Sequence, residues 1–255
     1  MRIVFIGSGN VATHLARALK NAGHEIAQVY SRTQEHAAAL AQATGAEFTG
    51  ELSEISTDAD AYVFSVKDDA LEPLLRNMPE TNGIWLHTAG SVPADIFRSH
   101  VSDYGVLYPL QTFSKKREVN FSEIPLFIEA NNEGTSRKIE QLAKSISEDV
   151  RYLSSEKRQY LHLSAVFACN FSNHMYVLAS EILAAQGIEF DVLKPLIAET
   201  AAKVAEMAPK QAQTGPAVRF DEKIIEKQIR LLNDDTTKNL YRLISESIHK
   251  RSKND

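Results

Sequence analysis

The sequence has a single cysteine, Cys169, among its 255 residues. One cysteine cannot form an intramolecular disulfide, and a zinc site built from several thiolates is excluded as well. Its neighbours Phe167, Ala168 and Phe171 are apolar. Because a thiolate is disfavoured in apolar surroundings, this setting predicts a buried, unreactive thiol rather than a nucleophile.

Long apolar runs are also lacking. No stretch approaches the ~20 residues that span a bilayer, and the apolar segment at residues 2–6 is too short for a secretory signal. The net charge is −5 and no basic stripe is present, which argues against a nucleic-acid partner. Neither an H-E-x-x-H motif, nor paired cysteines, nor a nucleophile elbow occurs. We therefore expect a cytoplasmic protein with no metal site and no membrane partner.

The first part of the chain alternates between short apolar runs and helical patterns, which predicts an α/β fold with a parallel sheet. The alternation weakens after Ser91, where further strands could extend the same sheet. The predicted strands are residues 2–6, 25–30, 61–66, 83–87, 105–110, 124–129 and 150–153. Helices are expected between them.

The pattern changes from Glu156 onwards, where no further strand is predicted. Residues 158–185 contain neither glycine nor proline and are apolar almost all round in the middle, which predicts a buried helix of about 40 Å. Further helices follow, one capped by Asp191 and one by Asp221. We predict a Rossmann-type domain over residues 1–155 and an all-α domain over residues 156–255.

A glycine-rich loop follows the first strand and opens the first helix. It reads Gly7-Ser8-Gly9-Asn10-Val11-Ala12, a G-x-G-x-x-A pattern. Gly7 permits the tight turn, Gly9 lets a pyrophosphate approach the backbone, and Ala12 allows close packing of helix and strand. The helix amino terminus offers free N–H groups to phosphates. The loop predicts dinucleotide binding, against the alternative of a merely tight turn.

The end of the second strand selects between cofactors. NAD-binding proteins usually place a carboxylate there for the ribose hydroxyls, whereas this chain has Ser31-Arg32-Thr33. Arg32 can bind a 2′-phosphate or stack on adenine, and the two hydroxyls can donate to the phosphate. The pattern favours NADP over NAD. The alternative is a solvated turn with Ser31 or Thr33 capping a helix.

Other strand ends should face the same crevice, because the carboxyl ends of parallel strands line the ligand site. Candidate cofactor contacts are Ser65, Val66, Lys67, His87 and Thr88, and candidate substrate contacts are Gln111 and Thr112. Lys67 could equally be a solvated surface lysine.

Four segments, GSGNVA, HTAGS, YPLQTF and TGPAVRFD, resemble a family of Rossmann-like candidate NADP-dependent oxidoreductases with a helical carboxyl-terminal domain of unknown function. The chain is more distantly similar to pyrroline-5-carboxylate reductase and the 3-hydroxyacid dehydrogenases. The resemblance implies a helical domain that forms a homodimer. Tyr108 stands where the near family has a histidine, and Phe220 stands where it has a glycine. Val166 replaces the catalytic lysine of the hydroxyacid dehydrogenases.

Two polar residues interrupt the long apolar helix. His162 and Asn170 match the near family and are candidate catalytic residues, with His162 as a proton donor. The alternative is that both satisfy structural hydrogen bonds. In the TGPAVRFD segment, Thr214 and Arg219 are candidate substrate contacts, although Arg219 could instead pair with Asp221 or Glu222.

These features together predict hydride transfer between NADPH and a small carbonyl or imine. A non-catalytic NADP-binding sensor or scaffold is the first alternative, and a pyrroline-5-carboxylate reductase is the second. A methyltransferase is disfavoured because no acidic residue ends the second strand.

Overall fold

The computed structural model describes residues 1–253. The chain divides into two compact units, residues 1–169 and residues from 170 onwards. The domain boundary that the sequence placed after residue 155 stays a prediction.

The first unit is built around one eight-stranded sheet. Its spatial order is β3-β2-β1-β4-β5-β6-β7-β8. The strands are β1 Arg2–Ile6, β2 Glu25–Tyr30, β3 Glu47–Thr49, β4 Ala61–Phe64, β5 Ile84–His87, β6 Tyr104–Pro109, β7 Leu126–Ala130 and β8 Val150–Tyr152. The chain leaves β1 toward β2 on one side and returns to β4 on the other, so the strand order reverses beside β1. In an open parallel sheet, ligands bind at such a reversal.

The predicted α/β fold is confirmed, and the later strands do extend the same sheet. Strands β1 to β6 are parallel, but β7 runs antiparallel to β6 and β8 lies parallel to β7. Strand β3 was not predicted, because it has only three residues at the edge of the sheet.

Both faces of the sheet are covered, which is why β1 is apolar without alternation. Ile3 and Phe5 are buried on one face, whereas Val4 and Ile6 are buried on the other. The helices of this unit are α1 Asn10–Asn21, α2 Gln34–Thr44, α3 Asp68–Leu75, α4 Glu133–Lys144 and α5 Ser155–Ala165.

The second unit is helical throughout the described residues. Its helices are α6 Ser172–Ala184, α7 Lys194–Glu206, α8 Pro209–Ala212, α9 Pro216–Arg219, α10 Glu222–Ile229 and α11 Asp235–Ser252. Asp221 caps α10 as predicted, accepting from the Ile224 amide at 3.3 Å. Asp191 does not cap α7, because residues 190–193 form a 3₁₀ turn first. No helix within residues 1–253 is long and apolar enough to cross a membrane.

The predicted helix over residues 158–185 is not one regular α-helix. A π-helical segment, Val166–Phe171, separates α5 from α6. Spacing arguments based on 3.6 residues per turn therefore do not relate His162 to Asn170 across this segment. The prediction that this helical segment is buried is also wrong, because Leu163 is 53% and Phe167 63% exposed. Cys169 is exposed too, which corrects the expectation of a buried thiol.

Candidate active site

A cleft of about 690 Å³ lies at the carboxyl ends of the strands around β1. Every residue that lines it belongs to the first unit. The predicted residues that line it are Gly7, Ser8, Gly9, Asn10, Val11, Ser31, Arg32, Thr33, Ser65, Val66, Lys67, Thr88, Gln111 and His162. The fold therefore brings the glycine-rich loop and one candidate catalytic residue to the same cavity.

The glycine-rich loop turns sharply after β1. Gly7 has a φ of 114°, in the region that favours glycine, and its amide donates to the Tyr30 carbonyl at 2.8 Å. A Cβ at Gly7 would collide with the backbone carbonyl of Ser65. Gly7 is thus required by the close approach of the loop to the end of β4.

Gly9 has a different role. A Cβ built there would meet no atom within 4 Å, and the residue has an ordinary φ of −73°. Neither packing nor backbone strain in the protein therefore calls for glycine at this position. Gly9 is the N-cap of α1, and the first N–H bonded to it is that of Thr13, at 2.9 Å. The preceding N–H groups of α1 point out of the helix end, which suits a phosphate that approaches the bare backbone.

The end of β2 carries Ser31, Arg32 and Thr33 into the cleft. Thr33 is the N-cap of α2, but its side chain makes no capping hydrogen bond. The Ser31 hydroxyl accepts from the Thr33 amide at 3.3 Å. His36, on the first turn of α2, lines the cleft with them. Sequence reasoning missed His36, although its place in the turn after Arg32 was a usable signal.

The ends of β4 and β5 are joined by hydrogen bonds. Thr88 donates its hydroxyl to the Ser65 hydroxyl at 3.2 Å, and Ser91 donates to the Asp68 carboxylate. Ser65 and Thr88 are buried at the base of the cleft, whereas Lys67 is exposed at its side.

His87 departs from the prediction that it contacts the cofactor. Its side chain is 0% exposed and packs against Phe97, with ring centroids 5.6 Å apart. Its Nδ1 accepts from the Ala89 amide at 3.2 Å. Burial, with a smaller contribution from the charge of Arg158, lowers the pKa of His87 to about 3. His87 ends β5, but its side chain points into the core below the cleft instead of lining it.

His162 reaches the cleft from α5 and contacts two neighbouring strand ends. Its Nδ1 lies 3.0 Å from the hydroxyl of Tyr108, at the end of β6. A Cβ at Gly90 would lie 2.5 Å from the His162 Cγ. The glycine of the HTAGS segment therefore makes room for the imidazole, a role that sequence reasoning did not assign.

A buried ion pair anchors the start of α5. Arg158 is 0% exposed, and its guanidinium donates to Glu129 at 2.5 Å and to the Val92 carbonyl at 2.5 Å. Glu129 also accepts from the Ser155 amide at 2.9 Å. Because Arg158 precedes His162 by one helical turn, this network fixes the helix that carries the imidazole.

The loop after β6 is fastened to α1. Asn10 donates its amide to the Phe113 carbonyl at 2.9 Å, and His14 Nε2 lies 2.9 Å from the Ser114 carbonyl. Gln111 and Lys115 of this loop line the cleft. Thr112 does not line it. The substrate contacts predicted for Gln111 and Thr112 stay predictions.

Asn170, Thr214 and Arg219 belong to the second unit, and their predicted roles stay predictions. All three side chains are exposed. Phe220, which occupies the position where a glycine was expected, has a φ of 53°, the left-handed conformation that favours glycine. Among residues 1–253, no group of three or more histidine, cysteine or acidic side chains could hold a metal ion.

Comparison with known families matches both parts of the chain. Residues 2–84 match a family described as NADP oxidoreductase, coenzyme F420-dependent, and residues 124–248 match a domain of unknown function, DUF2520. A sequence comparison with curated proteins finds no match.

Among solved structures, a candidate NADP oxidoreductase from Bacteroides fragilis is 49% identical, with a TM-score of 0.93 and 98% of each chain covered. An imine reductase from Myxococcus stipitatus, solved with NADP⁺, is 15% identical (TM-score 0.67, covering 99% of this chain and 93% of the other). A pyrroline-5-carboxylate reductase from Coxiella burnetii is 17% identical (TM-score 0.58, covering 98% and 97%). The last two share the fold alone.

The first of these similarities extends over nearly the whole chain, and the cleft contains the glycine-rich loop that a nicotinamide dinucleotide requires. The chain belongs to the family of candidate NADP oxidoreductases in which a dinucleotide-binding domain is followed by the helical DUF2520 domain.

Proposed function

We propose that this protein transfers a hydride between NADPH and a small carbonyl or imine. The observation that carries the proposal is the shared cleft, in which a phosphate-binding loop, the arginine-bearing end of β2 and His162 line one cavity. A dinucleotide lying across the ends of β2, β1 and β4 would lead toward the side of the cleft where His162 lies.

NADP is proposed over NAD on the chemistry of the β2 end. Arg32 is exposed in the cleft between two hydroxyl residues, and no carboxylate of that segment would repel a 2′-phosphate. The Thr33 hydroxyl makes no capping bond, which supports a role toward a ligand over the capping alternative.

His162 is proposed as the proton donor. The bound dinucleotide supplies the hydride to the substrate carbon. His162 releases its Nε2 proton to the substrate oxygen or nitrogen, so that an O–H or N–H bond forms as the ring N–H bond breaks. Solvent then returns a proton to Nε2. The substrate thus gains one hydride from NADPH and one proton from solvent through His162, and NADP⁺ is left as the oxidised dinucleotide.

The first experiment is calorimetric titration of the protein with NADPH, NADH and S-adenosylmethionine, repeated with Arg32→Asp. We expect binding of NADPH in preference to NADH, lost in the variant because the new carboxylate repels the 2′-phosphate. Lys20→Asp, a solvent-exposed change on α1 outside the cleft, is the matched control. Equal binding of NADH and NADPH, or no binding, would overturn the cofactor assignment.

Turnover is then measured as NADPH oxidation with cyclohexanone, with cyclohexanone plus an amine, and with pyrroline-5-carboxylate. A rate with any of them that falls in His162→Ala supports the proposal. NADPH binding without turnover on a wider carbonyl and imine panel would favour a non-catalytic sensor. Efficient turnover of pyrroline-5-carboxylate and of none of the other compounds would favour the alternative that this protein is a pyrroline-5-carboxylate reductase.

A homodimer through the helices is part of the proposal. Large apolar side chains of the second unit are exposed, including Val192 at 61%, Leu196 at 62% and Leu243 at 64%. Exposed large apolar side chains are candidates for a protein interface, because contiguous apolar patches on a protein surface commonly mark interaction sites. Light scattering should give twice the chain mass of 28.4 kDa, and Leu196→Glu should shift the protein toward a monomer.

A further inference from the structure

Tyr108 is a buried tyrosine whose hydroxyl meets the candidate proton donor. It is 7% exposed, yet it lines the same cleft as His162. Its hydroxyl lies 3.0 Å from His162 Nδ1, and the two rings meet edge to face with centroids 6.0 Å apart. The hydroxyl is therefore paired with a ring nitrogen of His162.

The imidazole is held on a second side by the backbone. A Cβ at Gly90 would lie 2.5 Å from His162 Nδ1 and 2.8 Å from its Cβ. The ring therefore rests on the turn after β5 and meets the end of β6. With Nδ1 engaged by Tyr108, Nε2 is the nitrogen left for a ligand in the cleft.

The protonation of Tyr108 suits this role. Burial raises the pKa of its hydroxyl, and the nearby Arg158 guanidinium offsets part of that rise. Tyr108 thus stays a neutral phenol at physiological pH. The phenol oxygen can accept from Nδ1–H both when Nε2 is protonated and when it is not, so the hydrogen bond survives when Nε2 gains or loses its proton.

We propose that Tyr108 is a positioning residue for His162: the Tyr108 hydroxyl fixes the orientation of the imidazole so that Nε2 faces the substrate. The positioning role rests on the proposed function, in which His162 is the proton donor. The hydrogen bond between Tyr108 and His162 can be tested without a substrate. The inference also assigns a role to a position where the resemblance had implied a different residue.

The test uses Tyr108→Phe, which keeps the ring and removes only the hydroxyl. Tyr104→Phe is the matched control, because Tyr104 lies on the same strand, is 5% exposed and donates its hydroxyl to Asp95 at 3.0 Å, away from His162. Both variants of the full chain are compared by thermal unfolding to confirm that they fold.

The primary readout is the ¹⁵N spectrum of the imidazoles in the ligand-free protein, with His162 assigned by His162→Gln. We expect the Nδ1 resonance of His162 to move in Tyr108→Phe and to stay in place in Tyr104→Phe. An unmoved resonance in Tyr108→Phe, or an equal movement in both variants, would overturn the pairing.

The second readout applies to any carbonyl or imine that the protein reduces. In Tyr108→Phe, kcat should fall by about tenfold or more while KM changes by less than about twofold, because the loss affects proton transfer and not binding. If no compound is turned over, the proposed function fails while the spectrum still decides the pairing. A shifted resonance with unchanged kcat would reject the positioning role.

Discussion

Gly90 lies directly against the imidazole of His162, although the two residues are 72 positions apart in the sequence. A Cβ at Gly90 would be 2.5 Å from two atoms of that ring and 2.8 Å from the His162 Cβ. Gly90 is a buried residue of the turn after β5, so its backbone cannot retreat easily. Any side chain at position 90 must therefore displace the histidine.

Gly90→Ala should move His162 out of its place while leaving the dinucleotide loop intact. We expect turnover to fall by about 10²-fold or more, since misplacing a proton donor removes most of its effect. NADPH affinity, measured by calorimetry, should stay within a few-fold of the original. Unchanged turnover would show that the imidazole does not act in the reaction.

Gly9→Ala should have the opposite pattern. The added methyl group meets no protein atom within 4 Å, so we expect the free energy of unfolding to change by less than about 1 kcal/mol. NADPH affinity should fall by about tenfold or more, because the methyl group would occupy the approach of the pyrophosphate. Chemical denaturation measures the unfolding free energy, and calorimetry measures the NADPH affinity. Full NADPH affinity would place the phosphates elsewhere.

Breaking the Arg158–Glu129 pair should be strongly destabilising because its arginine is 0% exposed. Glu129→Gln leaves that guanidinium charge buried without its carboxylate, and we expect a loss of about 3 kcal/mol in urea unfolding. Glu133→Gln is the control, since its partner Arg137 is exposed and the pair should contribute little. Similar losses in the two variants would contradict this account.

His87 should make stability depend on pH. Its pKa is lowered from 6.5 to about 3 in the folded protein, chiefly by burial. As the pH falls below about 6.5, the unfolded chain takes up a proton that the folded protein does not, so stability decreases until about pH 3.

His87→Gln removes this contribution. Between pH 7 and pH 5, the wild-type protein should lose about 2 kcal/mol more of its unfolding free energy than the variant does, at 1.36 kcal/mol for each pH unit below 6.5. Urea unfolding at both pH values checks it. Parallel pH profiles for the two proteins would show that His87 becomes protonated in the folded state.

Phe220 holds a left-handed backbone conformation, with φ 53°, and its ring stacks on His249 at a centroid distance of 4.4 Å. Phe220→Ala should be destabilised, because the stacking is lost while the backbone strain remains. Phe220→Gly should recover about 1 kcal/mol relative to Phe220→Ala, since glycine adopts this conformation without a Cβ clash. Thermal unfolding of both variants provides the comparison, and an alanine variant as stable as the glycine one would contradict it.

Much of the first unit follows from local patterns. The apolar runs of β1, β2, β4 and β5 predict buried strands, and the glycine-rich loop predicts the turn into α1. These signals are reliable because each depends on residues that are neighbours in the chain. Strand β3 escaped detection because three edge residues carry too little pattern.

The surroundings of His162 did not follow from such patterns. The imidazole was predicted as a proton donor, but its contacts come from residues 54 and 72 positions earlier, Tyr108 and Gly90. The burial of His87 also depends on how residues 93–97 fold over it. A residue's type at a strand end does not say which way its side chain turns.

The sequence by itself thus determined the α/β architecture, the glycine-rich loop and the Ser31-Arg32-Thr33 segment after β2, because strand periodicity and turn chemistry act over a few residues. Only the tertiary structure decided which side chains meet across the cleft. His87 is buried in the core, whereas its neighbour Thr88 lines the cleft. His162 packs against Gly90 and lies within hydrogen-bonding distance of the Tyr108 hydroxyl. Such contacts depend on packing between elements distant in the chain, which no local pattern encodes.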